Sequence, residues 1–271
     1  MKIEIQHETT YRYDAPVRSS TQYFRLTPRE SPAHRILDWA LDTPTPATRT
    51  RDGYGNVLHV LTLDKQVSEI RVRAHGTIET RPAGEIASGD SRNEGGAELS
   101  PLVFRRTTSI THVDEALAVF ADRHRKRAGS LAGLRDLAGA IADKMPLKPD
   151  EASGAASAAE AFAGGVVTVR DQAHVFIACC RHLGIPARFV SGYLHSAKVS
   201  DDGYIAGHAW AEAWVSDQWR GFDLASTRAN GEEHLALAIG ADYLDACPIR
   251  GVRTGGGIET MQSQARIRIS A

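Results

Sequence analysis

The sequence predicts an α+β protein: an N-terminal antiparallel β-sandwich or barrel followed by helices packed on a second antiparallel sheet. Three observations carry this expectation. Residues 1–81 fall into short β-type runs separated by turn-formers, helical stripes begin only after residue 100, and strict alternation returns at residues 207–215. With 271 residues, 42% hydrophobic and 24% charged, the composition is that of an ordinary globular chain with room for one large or two modest domains. The division expected is a β-rich domain with its linker over 1–100 and a core domain over 101–271.

The strand runs are Ile3 to His7, Tyr11 to Tyr13, Tyr23 to Leu26, Ile36 to Leu41, Val57 to Leu63 and Ile70 to Ile78. Turns are expected at Asp14-Ala15-Pro16, Thr43-Pro44-Thr45-Pro46 and Asp52-Gly53-Tyr54-Gly55-Asn56, because Pro presets φ and Gly tolerates positive φ. Residues 81–100 are rich in Gly and charge and poor in large apolar side chains, as in a loop or linker. The next stripe, Val113, Ala116, Leu117, Phe120 and Ala121, reads as a helix with Thr111 as N-cap. A second follows Ser130 through Leu131, Leu134, Leu137 and Ile141, and an Ala-rich segment places a short helix around residues 158–162. The clearest helix places Ala173, Phe176, Ile177, Cys180 and Leu183 on one buried face, stopped by Gly184-Ile185-Pro186. Residues 188–194 then leave it as a strand.

Charge and targeting signals exclude several functions. The 32 basic and 33 acidic residues leave a net charge of −1, so neither nucleic acid nor an anionic membrane is expected as a partner. The N-terminus lacks the apolar stretch of a signal peptide, and a cytoplasmic location is expected. Three cysteines, Cys179, Cys180 and Cys247, form neither a disulfide framework nor a paired metal motif. No cofactor is expected.

In Gly207-His208-Ala209-Trp210-Ala211-Glu212-Ala213-Trp214-Val215 the period of two places His208, Trp210, Glu212 and Trp214 on one face and the alanines on the other. A turn at Ser216-Asp217-Gln218 folds the chain back through Trp219 to Asp223, bringing Asp223 within reach of His208. A carboxylate that fixes an imidazole's tautomer and stabilises its cation is the arrangement needed for a general base. A metal site of His174, His208 and Asp223 has no local signature behind it, and no metal is expected.

The order of these pieces, a loop entering a helix, then a strand His, then a strand Asp 15 residues on, resembles the bacterial transglutaminase-like family. The residues that carry the resemblance are Asp171, Ala173-His174, Leu183 to Arg188, Val190 to Leu194, His208 to Glu212 and Gly221-Phe222-Asp223. His7-Glu8-Thr9, Tyr11-Arg12-Tyr13, Leu26 to Arg29, Asp52 to Asn56 and the tail from Asp242 to Gly257 extend it over nearly the whole chain. It implies a papain-related core with a cysteine nucleophile five residues before His174, where this sequence has Val169. A thiolate at a helix N-terminus is stabilised by the amide dipoles and can attack an acyl carbon. An isopropyl group can do neither. Arg170 stands where the family has Gln, Val167 where it has Gly, and Leu224-Ala225 where it has Pro-Thr.

Thr168 has no dedicated base, and Cys179 and Cys180 lie ~15 Å along the helix. The expectation is a catalytically degenerate homologue in which His208 and Asp223 remain, with Arg170, Thr168, Asp171, Trp210 and Tyr193 lining a cleft for a peptide, protein or amide-bearing small molecule. The alternative is an acyltransferase or amide hydrolase using the His208–Asp223 pair as a general base without a cysteine.

Overall fold

A computed structural model describes residues 2–31, 33–80, 99–147, 157–164, 167–195, 203–226, 228–229 and 233–270. The expected linker lies outside the described residues over 81–98, as does most of the Ala-rich stretch before residue 157. The N-terminal half contains β1 (Lys2–Phe24), β2 (His34–Asp42), β3 (Thr48–Arg51), β4 (Val57–Leu63) and β5 (Val67–Thr80). A 3-10 turn at Pro101–Arg105 leads to α1 (Glu115–Asp122), α2 (Leu131–Lys144), α3 (Ala158–Phe162) and α4 (Val169–His182). There follow β6 (Ala187–His195), β7 (Gly203–Val215), β8 (Gln218–Asp223), β9 (Arg228–Ala229), β10 (His234–Gly240), α5 (Tyr243–Ala246), β11 (Ile249–Gly255) and β12 (Glu259–Ser270). The α+β class is as the sequence predicts.

The first three strand runs are one strand. β1 continues through Asp14-Ala15-Pro16, where a turn was expected, and the register shifts there instead. Its first half pairs with β5 and β12, and its second with β4 and β11. A proline lacks the ladder donor, so it is accommodated where the strand exchanges one set of partners for another. Ile3, Ile5, Val17, Phe24, Leu61, Ile70 and Ile78 form the core beneath this curled sheet. β11 and β12 return from the C-terminus to pair with β1, a long-range closure that no local pattern signals.

α1 begins at Asp114, whose carboxylate accepts from Leu117 N at 2.8 Å, rather than at Thr111. Thr111 is instead buried against Arg181, accepting from its Nη1 at 2.7 Å. Ser130 caps α2 as the pattern indicates. α4 is buried along its whole length from Asp171 to Arg181, not on one face alone. The sheet covers one side and α1–α3 cover the other, with Leu117, Leu134, Leu137, Ile141 and Ala158 in the same core as Ala173, Phe176, Ile177 and Cys180. Gly184, at φ +83°, ends α4 with Ile185 N donating to Cys180 O at 2.8 Å.

The second sheet runs β10–β6–β7–β8, all antiparallel. Ser216 and Asp217 both take positive φ in the two-residue turn between β7 and β8, which matches the right-handed twist of the hairpin. Gly192 on β6 lies opposite His208. An added Cβ there would overlap the Leu235 carbonyl and stand 2.6 Å from Trp210 Cη2. We therefore expect Gly192→Ala to lose about 2 kcal/mol of stability in urea denaturation, as overpacked core sites do. An unchanged midpoint would contradict this packing.

Candidate functional site

The pleat of β7 decides which groups meet. Ala211 and Ala213, with Phe222 of the paired strand, pack against α4. His208 and Trp210 project from the opposite face, and Asp223, next to Phe222, joins them. His208 Nε2 lies 3.0 Å from Asp223 Oδ2, as the hairpin predicts.

A third group, absent from the sequence reading, completes the cluster. His234 Nε2 lies 2.9 Å from the same Asp223 oxygen. β10 is separated from β8 by β6 and β7. In a flat sheet that is about 14 Å, more than the two side chains and a hydrogen bond can bridge. The face must therefore be concave, and curvature brings the side chains together. Ser226 Oγ donates to Asp223 Oδ2 at 2.9 Å, and Ala225 N to Oδ1 at 3.0 Å. Burial by itself would raise the Asp223 carboxyl. The hydrogen bonds and charge of His208 and His234 outweigh it and hold the group well below the usual carboxylate range. A carboxylate can only accept, so both imidazoles direct an Nε2–H at it; in the neutral ring Nδ1 is then the basic nitrogen.

The remaining expected site residues divide into distinct environments. Thr168 and Asp171 form a capping box: Asp171 Oδ2 accepts from Thr168 N at 2.8 Å and Thr168 Oγ1 at 2.9 Å, and Thr168 Oγ1 accepts from Asp171 N. The threonine hydroxyl is thereby committed to starting the helix. Val169, half-buried, is the first residue of α4. The Arg170 guanidinium lies over the Tyr243 ring at 4.6 Å. Tyr193 is buried beneath the N-terminal sheet, its hydroxyl 2.6 Å from His7 Nδ1. Trp210 is buried 5.3 Å from the His234 ring, edge to face, and its indole N–H has no acceptor among the described residues.

His174 takes a hydrogen bond from Tyr243 N at 3.1 Å and stacks near Phe189. Burial, with Arg170 and Arg181 nearby, pulls it down to about 3. Cys179 and Cys180 are fully buried, and burial pushes both thiols up, Cys179 to about 12. Cys247, also buried, donates to Ile249 O.

The N-terminal region covers part of the concave face. Val190, Trp210 and Ile239 pack with Tyr54. Asn56, fully buried, donates to Ile239 O at 2.8 Å and accepts from Ile239 N at 2.9 Å. Tyr54 donates to Asp245 Oδ2 at 2.6 Å. Further along β7, Glu212 accepts from Arg188 at 2.6 Å, and Arg188 lies 4.0 Å above the Trp219 ring.

Comparison with known proteins matches these two regions separately. Residues 3–79 match the bacterial transglutaminase-like N-terminal region, and residues 120–224 match the transglutaminase-like superfamily. A candidate cysteine protease from Cytophaga hutchinsonii shares the fold of this chain with a TM-score of 0.67 and 19% identity, covering 100% of this chain and 92% of that one. An uncharacterised protein of Mycobacterium leprae is 26% identical over 94% of each chain. One of Mycobacterium tuberculosis is 27% identical over 93% of this chain and 87% of its own. Among the described residues, no helix is long and apolar enough to cross a membrane.

The buried neutral His174 gives this core a defined acid response. Between about pH 6.5, where the unfolded histidine protonates, and about 3, where the folded one does, only the unfolded state takes up the proton. The His174 contribution is complete above that window and is lost as the pH falls through it, by about 1.4 kcal/mol per unit. We expect His174→Gln to flatten the fall in stability between pH 6 and 4, measured by urea denaturation at each pH. An unchanged slope would rule out a neutral buried imidazole.

Proposed function

We propose that this protein has lost thiol-based acyl transfer and uses the cleft around His208, Asp223 and Trp210 to bind a peptide, a protein segment or an amide-bearing ligand. The observation that carries this reading is Val169 at the first turn of α4, where the family resemblance calls for the nucleophilic cysteine. Two further features support it. All three cysteines are buried, so no exposed thiol substitutes for the missing one. Thr168, the neighbouring hydroxyl, is tied into the capping box. On the ligand side, the buried Trp210 N–H without an acceptor among the described residues is a donor suited to a ligand carbonyl, since a buried unpaired donor costs about 1–3 kcal/mol until it is satisfied. Arg170, adjacent to the helix start, suits a carboxylate.

A second reading is favoured by one specific contact, the 3.0 Å hydrogen bond between His208 and Asp223. In it the imidazole acts as a general base on water or on a substrate amine, without a covalent intermediate. Steady-state assays with glutaminyl and peptidyl anilides separate the two. The binding reading expects no turnover by the native chain, and peptide binding that persists in His208→Ala. Turnover that is lost in His208→Ala and follows a single histidine ionisation would replace it with the second. Val169→Cys is expected to gain labelling by iodoacetamide in the folded state, where the native chain, with its buried thiols, reacts slowly. Equal labelling of the two would remove Val169 from the accessible helix start.

A further inference from the structure

We propose that His208, Asp223 and His234 together bind one divalent transition-metal ion of borderline softness, in the chemical class of zinc or cobalt. The proposal goes beyond the functional reading above, because the ion can bind whether or not the cleft accepts a peptide.

Each residue offers one donor atom, and the three atoms lie within 4.8 Å of one another. They come from three strands, β7, β8 and β10, so their spacing is set by the sheet rather than by a loop. The side chains are 8%, 1% and 5% exposed, which leaves few waters to displace from the donors before they can face an ion. Two imidazole nitrogens and one carboxylate oxygen suit a borderline ion, whereas calcium and magnesium prefer shells made wholly of oxygen.

At bond lengths of about 2.0–2.2 Å, tetrahedral donors stand roughly 3.4 Å apart. The two nitrogen–oxygen separations, 3.0 and 2.9 Å, need to open by only a few tenths of an ångström. The nitrogen–nitrogen span must close from its present value, which is at most 4.8 Å, and small rotations of the two rings can do this. The hydrogen bonds already point both Nε2 atoms at one oxygen. An ion at their meeting point takes the place of the two bridging N–H groups, and each neutral ring then carries its single proton on Nδ1. Ala225 N holds Asp223 Oδ1 at 3.0 Å, which fixes the plane of the carboxylate as an outer hydrogen bond to a ligand does. With three protein donors, a fourth position remains for water, the pattern of an open rather than a closed zinc site.

The competing account is that the two hydrogen bonds alone satisfy Asp223 and no ion enters. The test uses the full chain after chelator treatment and dialysis. Cobalt(II) is titrated in and followed by its visible d–d absorption, and zinc retained after dialysis is counted by mass spectrometry. The expected result is one ion per chain, with affinity at least about 100-fold weaker in His234→Ala and in His208→Ala, since losing a ligand costs more than losing an outer partner. His174→Gln, a buried histidine outside the cluster, is expected to bind as the native chain does. Circular dichroism confirms that each variant folds. A native chain that shows no saturable uptake at millimolar cobalt overturns the proposal, as does one-equivalent binding that survives in both histidine variants. Either result leaves the peptide-binding reading standing, because that reading is scored by peptide retention with no metal present.

Discussion

The alternation of β7 is the constraint on which the rest of the molecule depends. Alanines at 211 and 213 leave one face of the strand nearly flat, so α4 lies directly on the sheet and is buried from Asp171 to Arg181. Bulkier side chains there would hold the helix away and open the core beneath it. The same period sends His208 and Trp210 to the other face, where they meet Asp223, His234 and the N-terminal region. One strand thus separates a packing layer from a polar cluster, and neither could be moved by one residue without exchanging the two.

The concave face is maintained from outside as well as from within. Asn56 pairs with both backbone groups of Ile239 on β10, and Asp52 organises that loop by accepting from Tyr54 N, Asn56 N and Arg25. Arg29 N donates to Ala236 O on the same strand. β10 therefore carries His234 on a strand bound on one edge by β6 and anchored by the N-terminal loops. The closure of β11 and β12 onto β1 ties the two chain ends to a common sheet. The N-terminal β region in this sense helps to hold the strand that carries His234.

Chemistry at the helix start follows from the same economy of groups. The capping box spends the Thr168 hydroxyl and the Asp171 carboxylate on the first amides of α4, as a helix beginning in a buried setting requires. Arg170 is occupied by the face of Tyr243, whose backbone N–H in turn binds His174. These contacts position the first turn firmly.

Much of this was legible beforehand. The helix over 169–182, its glycine stop, the hairpin turn and the His208–Asp223 contact all depend on local periodicity and short-range register, which a sequence carries directly. The unbroken β1, the Asp114 cap and the full burial of α4 were not, because each is decided by partners distant in sequence: strands exchanging at Pro16, Arg181 claiming Thr111, and helices α1–α3 covering the outer side. By itself the sequence determined which side chains share a face of β7, since a pleat depends only on adjacent residues. That His234 joins them was decided by the tertiary structure alone, because only the order and curl of β10, β6, β7 and β8 bring an imidazole eleven residues further on back to the same carboxylate oxygen.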